Sequence, residues 1–209
     1  DSSILEVSIL SNAFLDMSKS IYEYQQLLEE KVEQRTKELN IKNEELFKLS
    51  ITDKLTGLYN RVKLDSVLQE NMSLSLRYGN VFSVIIIDID FFKKINDNFG
   101  HQVGDDVLKE CSYILSQNIR NVDTLGRWGG EEFLVVCPET LKDGAKDLAI
   151  KLNKAIKLHK FSTYPHSVTI SVGVASCSVK DLNYDDIISN ADKALYEAKN
   201  NGRDRVEVF

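Results

Sequence analysis

The sequence predicts an α+β fold in which helices flank a central, mostly antiparallel sheet, preceded by a long coiled-coil helix. Residues 1–50 contain neither proline nor glycine and repeat apolar residues at heptad spacing. Residues 51–209 alternate short apolar runs with amphipathic segments, and 125–137 place a glycine pair between two apolar runs, as in a β-hairpin. We therefore expect a coiled-coil signalling and dimerisation helix over 1–50 and one globular domain over 51–209.

Composition and charge exclude several classes of protein. A hydrophobic content of 43% and a charged content of 28% are typical of globular proteins. The net charge of −6 argues against a broad nucleic-acid surface, and no apolar run is long enough to span a membrane, so this fragment is expected to contact neither. The three cysteines and three histidines share no metal or redox spacing, which predicts a reducing cytoplasm and no zinc site.

The first fifty residues carry a coiled-coil seam. Apolar residues from Leu10 to Leu28 follow one another in alternating steps of four and three, and Val32 adds a second step of four, a stutter that locally unwinds a supercoil. We expect this helix to form a homodimer. Residues 6–17 resemble the second helix of a HAMP relay module, which implies the cytoplasmic part of an inner-membrane bacterial receptor. A plain dimerisation helix would show the same pattern, and the start at Asp1 indicates an excised fragment.

A central strand is expected over 81–87, because its residues are apolar on both alternating faces. It is preceded by a helix from about 60 to 78 and followed by Asp88-Ile89-Asp90. Asp90 is interpreted as the cap of a short helix over 91–96. Asp88 has no such role. If the central strand and the hairpin are neighbours, Asp88 and Glu131 would face each other and repel unless a cation lay between them. A site that offers only oxygen ligands favours Mg²⁺.

The rest of the domain is expected to contain a helix, a hairpin and four further elements. A helix is expected over 106–120 and is followed by Asp123; Arg120 at its C-terminus has a favourable dipole position in any case. Gly129 and Gly130 should form the tight turn of a hairpin and admit a bulky anion. The same sequence is also compatible with a hairpin that binds no ligand and whose glutamates are solvated. Helices over 141–158 and 185–201 and strands over 167–175 and 205–209 complete the domain.

Several blocks resemble the GGDEF family of diguanylate cyclases. Arg127-Trp128-Gly129-Gly130-Glu131-Glu132-Phe133 is similar to its signature loop in the GGEEF form, Asp53–Arg61 to the segment that opens its domain, and Phe91–Asp105 to its purine-binding segment. The resemblance covers about residues 50–209. It implies the ferredoxin-like βαββαβ palm shared with nucleotidyl cyclases, which agrees with the order of the expected elements.

The resemblance also implies roles for individual residues. Asp88, the Ile89 backbone carbonyl and Glu131 would hold Mg²⁺, with Mn²⁺ as an alternative, and Glu132 would hold a second ion or take a proton. Arg120 and Asp123, an Arg-x-x-Asp pair, would bind the product as an allosteric inhibitor. The substrate-binding residues implied by the family are Asn96, Asp105, His101, Phe91, Phe92, Lys93, Gly129, Gly130, Lys199 and Arg203.

Four of the substrate-binding residues have an ordinary structural alternative. Asn96 and Asp105 could be turn and N-cap residues, and Lys199 and Arg203 could be cations at a helix C-terminus.

The implied reaction joins two GTP molecules, one from each subunit of a dimer, into cyclic di-GMP with release of two pyrophosphates. Two rivals stay open: a non-catalytic receptor for GTP or cyclic di-GMP, and a cyclase that acts on a single nucleotide. Identification of the product formed from GTP and Mg²⁺ separates the three.

Overall fold

The computed structural model describes residues 2–177 and 183–209. Two compact units are formed, Asp1–Lys48 and Leu49–Phe209. The elements in chain order are α1 Ser2–Ile51, α2 Arg61–Tyr78, β1 Phe82–Ile89, α3 Phe92–Phe99, α4 His101–Ser116, β2 Thr124–Gly129, β3 Glu132–Pro138, α5 Lys142–Leu158, β4 Ile170–Ser176, α6 Tyr184–Asn200 and β5 Val206–Val208.

The helix α1 exposes its apolar seam. Leu10 is 75% exposed, Leu28 53% and Val32 63%. A helix with so little of its apolar surface buried gains little from packing, and a partner helix would supply that burial. None of the described helices is both long enough and apolar enough to cross a membrane.

The five strands form one sheet in the order β2-β3-β1-β4-β5. The β2/β3, β3/β1 and β1/β4 pairs are antiparallel, and β5 joins β4 in parallel. Without β5 this is the βαββαβ arrangement, so the expected α+β class with a mostly antiparallel sheet is confirmed.

Two apolar cores lie on opposite faces of the sheet. Ile85, Ile87 and Ile89 of β1 belong to a core completed by α3, α4 and α5. The alternate residues Val84 and Ile86 belong to a second core with α2 and α6. All eight residues of β1 are buried, as predicted for a strand covered on both sides.

The helix α6 approaches the sheet closely at Gly173. A Cβ atom there would overlap the Ala191 carbonyl oxygen and the Leu195 backbone nitrogen, so only glycine permits this contact. The contact fixes α6, and with it Lys199 in its last turn, against β4 beside β1.

Several predicted boundaries differ from the structure. The strand β1 continues through Asp88 and Ile89, because both fit the ladder with β4, so these residues end the strand instead of following it. The helix α4 begins at His101 and ends at Ser116, not at Arg120. The last strand is only Val206–Val208, which is the part that pairs with β4.

Candidate active site

The signature stretch forms a hairpin, but its turn lies one residue beyond the predicted position. Gly129 pairs with Glu132, and the turn residues between them are Gly130, with φ of +52°, and Glu131. The register shifts between Arg127 and Gly129, so a bulge at Trp128 moves the turn along the chain. Glu131 therefore lies at the tip of the hairpin.

Carboxylates from two distant segments converge at this end of the sheet. Asp88 is opposite Glu132 in the β1/β3 ladder, and the Ile89 amide donates to the Glu131 carbonyl over 3.4 Å. Burial raises the pKa of Asp88 despite the Lys199 ammonium, and the Glu131 and Asp90 carboxylates act in the same direction as burial. Burial also raises the pKa of Glu132, to which Asp88 adds. The site accumulates negative charge in a poorly solvated place.

Lys199 partly offsets this charge. Its Nζ lies 2.8 Å from Asp88 Oδ2, and the Lys199 side chain is 31% exposed. The family resemblance implies a phosphate contact for Lys199, whereas here its ammonium lies on the carboxylate expected to hold metal. A cation at Asp88 would release Lys199 towards a nearby anion.

The donor set suits a hard divalent cation whose coordination is completed by substrate and water. Among the described residues, no three histidine, cysteine, aspartate or glutamate side chains form a complete metal cage. Two carboxylates, Asp88 and Glu131, and a backbone carbonyl are the kind of partial oxygen set from which Mg²⁺ is bound together with substrate phosphates. The mutual repulsion at Asp88 is what such a cation would relieve.

A cavity of about 480 Å³ opens beside the hairpin tip. It brings together residues from α3, α4, β2 and the hairpin turn. Its lining residues are Phe92, Lys93, Asn96, Asp97, His101, Asp105, Leu108, Arg127, Gly130 and Glu131. Six residues predicted to contact substrate, together with Glu131, thus share one cavity wall.

Gly104 explains how Asn96 enters this cavity. A Cβ on Gly104 would overlap Asn96 Oδ1, so the glycine leaves the space that the Asn96 side chain occupies. No role for Gly104 was predicted from the sequence. The available signal was a glycine inside a helix. Glycine is unfavourable there, so its presence indicates that another group needs the space a side chain would fill.

Arg127 is a further residue that sequence reasoning missed. Its Nε donates to the Gly130 carbonyl over 2.8 Å, and its Nη1 lies 3.3 Å from both Asp53 carboxylate oxygens. Although burial acts to raise the pKa of Asp53, hydrogen bonds from Thr56 and the Arg127 charge outweigh burial and lower it. The pair spans 74 positions, so no local sequence pattern could reveal it.

The interpretation of Asp90 as a helix cap is wrong. The N-cap of α3 is Phe91, which makes no side-chain cap bond. The Asp90 carboxylate instead accepts from Thr169 Oγ1 at 2.7 Å, Ser171 Oγ at 2.6 Å and the Asp204 amide at 3.1 Å. These bonds fix the end of β1 to the start of β4 and to the turn that contains Arg203.

Arg120 and Asp123 lie in a separate cavity of about 340 Å³. Because α4 ends at Ser116, the alternative of a helix C-terminal position for Arg120 does not apply. Asp123 Oδ2 accepts from the Arg120 amide at 2.9 Å, so this carboxylate also stabilises a turn. The same cavity is lined by Lys151 and Asp147 of α5, which the sequence analysis did not single out.

Comparisons with known proteins agree with the resemblance. Residues 50–205 match the family described as diguanylate cyclase, GGDEF domain. The chain is 39% identical over 163 residues to the response regulator PleD of Caulobacter vibrioides, covering 76% of this chain and 36% of that protein. It is 38% identical over 173 residues to diguanylate cyclase A of Treponema denticola, covering 80% and 47%. The chain thus spans less than half the length of these two relatives.

Two solved structures are similar over most of the chain. The coiled coil and GGDEF domain of DgcB from Caulobacter crescentus, in complex with c-di-GMP, superposes with a TM-score of 0.79 at 26% identity, covering 84% of this chain and 94% of that one. The diguanylate cyclase SiaD from Pseudomonas aeruginosa, in complex with its activator SiaC, gives a TM-score of 0.74 at 33% identity, covering 97% and 79%. Both comparisons extend beyond the globular domain into α1.

The raised pKa of Glu132 predicts a pH-dependent stability. A carboxyl whose folded pKa is raised contributes stability below its unfolded pKa, about 4.3, and loses that contribution as pH rises through the folded value. Glu132→Gln mimics the protonated form. In EDTA at pH 7 it should therefore unfold at a higher urea concentration than the wild type. The gain in the free energy of unfolding should be less than about 1 kcal/mol after screening, and it should vanish near pH 4.

The exposed Glu70→Gln serves as the matched control and should shift nothing, because the Glu70 side chain is already solvated in the folded chain. Added Mg²⁺ should stabilise the wild type more than Glu132→Gln. A Glu132→Gln variant that is less stable than the wild type at pH 7 in EDTA would contradict the proposed charge repulsion.

Proposed function

This chain belongs to the GGDEF domain family, and on that premise we propose that it is a diguanylate cyclase that joins two GTP molecules into cyclic di-GMP. Two pyrophosphates are released. The observation that carries the proposal is the convergence of Asp88 with Glu131 and Glu132 beside the cavity that contains Asn96 and Asp105.

The cavity suits guanine. Asp105 would accept hydrogen bonds from the ring N–H and the exocyclic amine, and Asn96 would bind the same base. Adenine presents a different donor pattern and would leave the Asp105 carboxylate unpaired, which is the kind of mismatch that discriminates strongly. His101 and Phe92 border the base, and Gly130 leaves the turn open for the phosphates.

The carboxylates at the hairpin tip would hold Mg²⁺ through Asp88, the Ile89 carbonyl and Glu131. Bound there, the ion supplies charge stabilisation for phosphoryl transfer. Lys93, Lys199 and Arg203 would neutralise phosphate charge. The 3′-hydroxyl of one GTP would attack the α-phosphate of the other, with Glu132 either holding a second ion or accepting the hydroxyl proton.

Each subunit supplies half of the reaction centre, so turnover requires two chains to face each other. The exposed seam of α1 supports a homodimer through residues 1–50, since pairing would bury Leu10, Leu28 and Val32. The register near the stutter at Leu28–Val32 would decide whether the two GTP sites meet.

The second cavity would bind the product. Arg120 makes no ion pair within the described parts of the chain, which leaves its guanidinium available for a phosphate. Lys151 adds a second cation on the same wall. Cyclic di-GMP bound there would hold the chain in a state in which the GTP sites do not meet.

Incubation with GTP and Mg²⁺, followed by mass spectrometry of the product, tests the main proposal. We expect cyclic di-GMP from the wild type. Glu131→Ala should lower turnover at least about 100-fold, because a metal ligand supports several kcal/mol of transition-state stabilisation. The Glu70→Ala control should keep its activity. Tight GTP binding without any product would indicate a receptor, and a cyclic mononucleotide would indicate the other rival.

Arg120→Ala should relieve product inhibition. We expect the progress curve of the wild type to flatten as cyclic di-GMP accumulates, whereas the variant should keep its initial rate to much higher product concentrations. Lys154→Ala removes an exposed cation of α5 and should behave as the wild type. Equal inhibition of Arg120→Ala and wild type would remove this site from the proposal.

Insertions between Leu28 and Val32 test control by α1. Three or four added residues rotate the two parts of the seam relative to each other and should change turnover, whereas seven restore the heptad phase and should return it towards the wild-type value. The product is measured as above. Activity that is indifferent to these insertions and to removal of residues 1–45 would dispose of the register hypothesis.

A further inference from the structure

We propose that Phe91 is a positioning residue, which holds the Arg203 guanidinium ready for the phosphates of a purine nucleoside triphosphate. This inference rests on the proposed function. It concerns how the phosphate end of the site is built, and it assigns Phe91 an action through Arg203 in place of direct contact with the base.

Phe91 is unusual in both backbone and exposure. Its φ of 57° and ψ of 25° lie in the left-handed region, which a bulky side chain seldom occupies, and its side chain is 51% exposed. A large exposed aromatic residue in strained backbone gains nothing from core packing. Strained residues of this kind cluster at functional sites, where their side chain has a task that offsets the strain.

Two cations lie over the Phe91 ring. Arg203 Cζ is 4.6 Å from the ring centroid, and Lys94 Nζ is also 4.6 Å from it. Within the described residues, the Arg203 guanidinium forms no ion pair, and it lies over this ring. Two positive charges gathered at one ring, without an acidic partner for the guanidinium, make a site that favours a multiply charged anion.

Hydrogen bonds to two other elements fix the backbone of the Arg203 turn. Arg203 and Asp204 both have positive φ, of 64° and 48°. The Arg203 amide donates to the Ala198 carbonyl over 3.0 Å, and the Asp204 amide donates to Asp90 over 3.1 Å. The turn is therefore anchored to α6 and to the end of β1, and the remaining freedom of Arg203 lies in its long side chain.

Stacking restricts that freedom without consuming hydrogen-bond donors. A guanidinium contacts an aromatic ring through its flat face, whereas its N–H groups point outwards in its plane. Arg203 can keep its place on Phe91 and donate to phosphate oxygens at the same time. Holding the side chain in place before the ligand arrives reduces the entropy lost on binding.

The test compares two ligands that share guanine but differ in charge. 3′-deoxy-GTP lacks the attacking hydroxyl and so cannot react, and GMP has a single phosphate; both are titrated by calorimetry with Mg²⁺. Phe91→Asn removes the ring but tolerates the left-handed backbone, so the fold should keep its thermal stability. We expect it to weaken 3′-deoxy-GTP about two- to five-fold, the size of an exposed cation–π contact, and to leave GMP nearly unchanged.

Further variants separate positioning from a purely structural role. Phe91→Tyr retains the ring face and should restore binding, and Tyr113→Ala, which removes another exposed aromatic side chain, should have no effect. Phe91→Asn combined with Arg203→Ala should lose no more than Arg203→Ala alone, because the ring acts through the guanidinium.

Equal weakening of both ligands, no weakening of either, or additive losses in the double variant would overturn the inference. A wild type that binds GMP as tightly as 3′-deoxy-GTP would also overturn it while leaving the guanine site intact. A wild type that binds neither nucleotide would overturn the proposed function and this inference together.

Discussion

The site depends on one strand register, the antiparallel pairing that sets Asp88 opposite Glu132. A slip of one residue would turn Glu132 to the other face of the sheet and leave Asp88 opposite an apolar side chain. Hydrophobic alternation cannot enforce this register by itself, because β1 is buried on both faces. Buried polar groups at the two ends of the strand fix β1 against β4 and against Thr140, the second residue after β3.

At the start of β1, Ser83 Oγ donates to the Thr140 carbonyl over 2.6 Å and lies 2.7 Å from Ser176 Oγ. Just past its end, Asp90 accepts from the Thr169 and Ser171 hydroxyls. A slip would leave these buried groups unpaired, and each such loss costs about 1–3 kcal/mol. The same Asp90 carboxylate also anchors Asp204, so the group that joins β1 to β4 also places the Arg203 turn.

The sequence was sufficient where the signal was local or periodic. The doubly apolar run of β1, the glycine pair of the hairpin and the helical spacing of α5 and α6 predicted the layers and the sheet. The family resemblance named seven of the ten residues that line the cavity beside the hairpin tip. The sequence was insufficient where the decisive contact was distant. The residues around Asp90 do not indicate its contact with Ser171, and those around Arg127 do not indicate its contact with Asp53. The residue types around Trp128 likewise do not predict a bulge there.

A further set of hydrogen bonds connects the end of α1 to the signature turn. Asn60 Nδ2 donates to the Ser50 carbonyl over 2.8 Å, the Arg127 amide donates to the neighbouring Tyr59 carbonyl over 2.8 Å, and Arg127 Nε reaches Gly130. Such a path controls the site only if one of its links has two arrangements. The Asp53–Arg127 ion pair is the weakest link, because its contacts are 3.3 Å long and its side chains are about one-fifth exposed, so water can replace either partner. Opening this pair would release only the Arg127 side chain from Asp53, because the Arg127 amide would stay on the Tyr59 carbonyl and the buried register of β1 and β3 would stay intact. A change at the end of α1 would therefore act on the Arg127 side chain and its bond to Gly130, and not on the sheet that supports the hairpin.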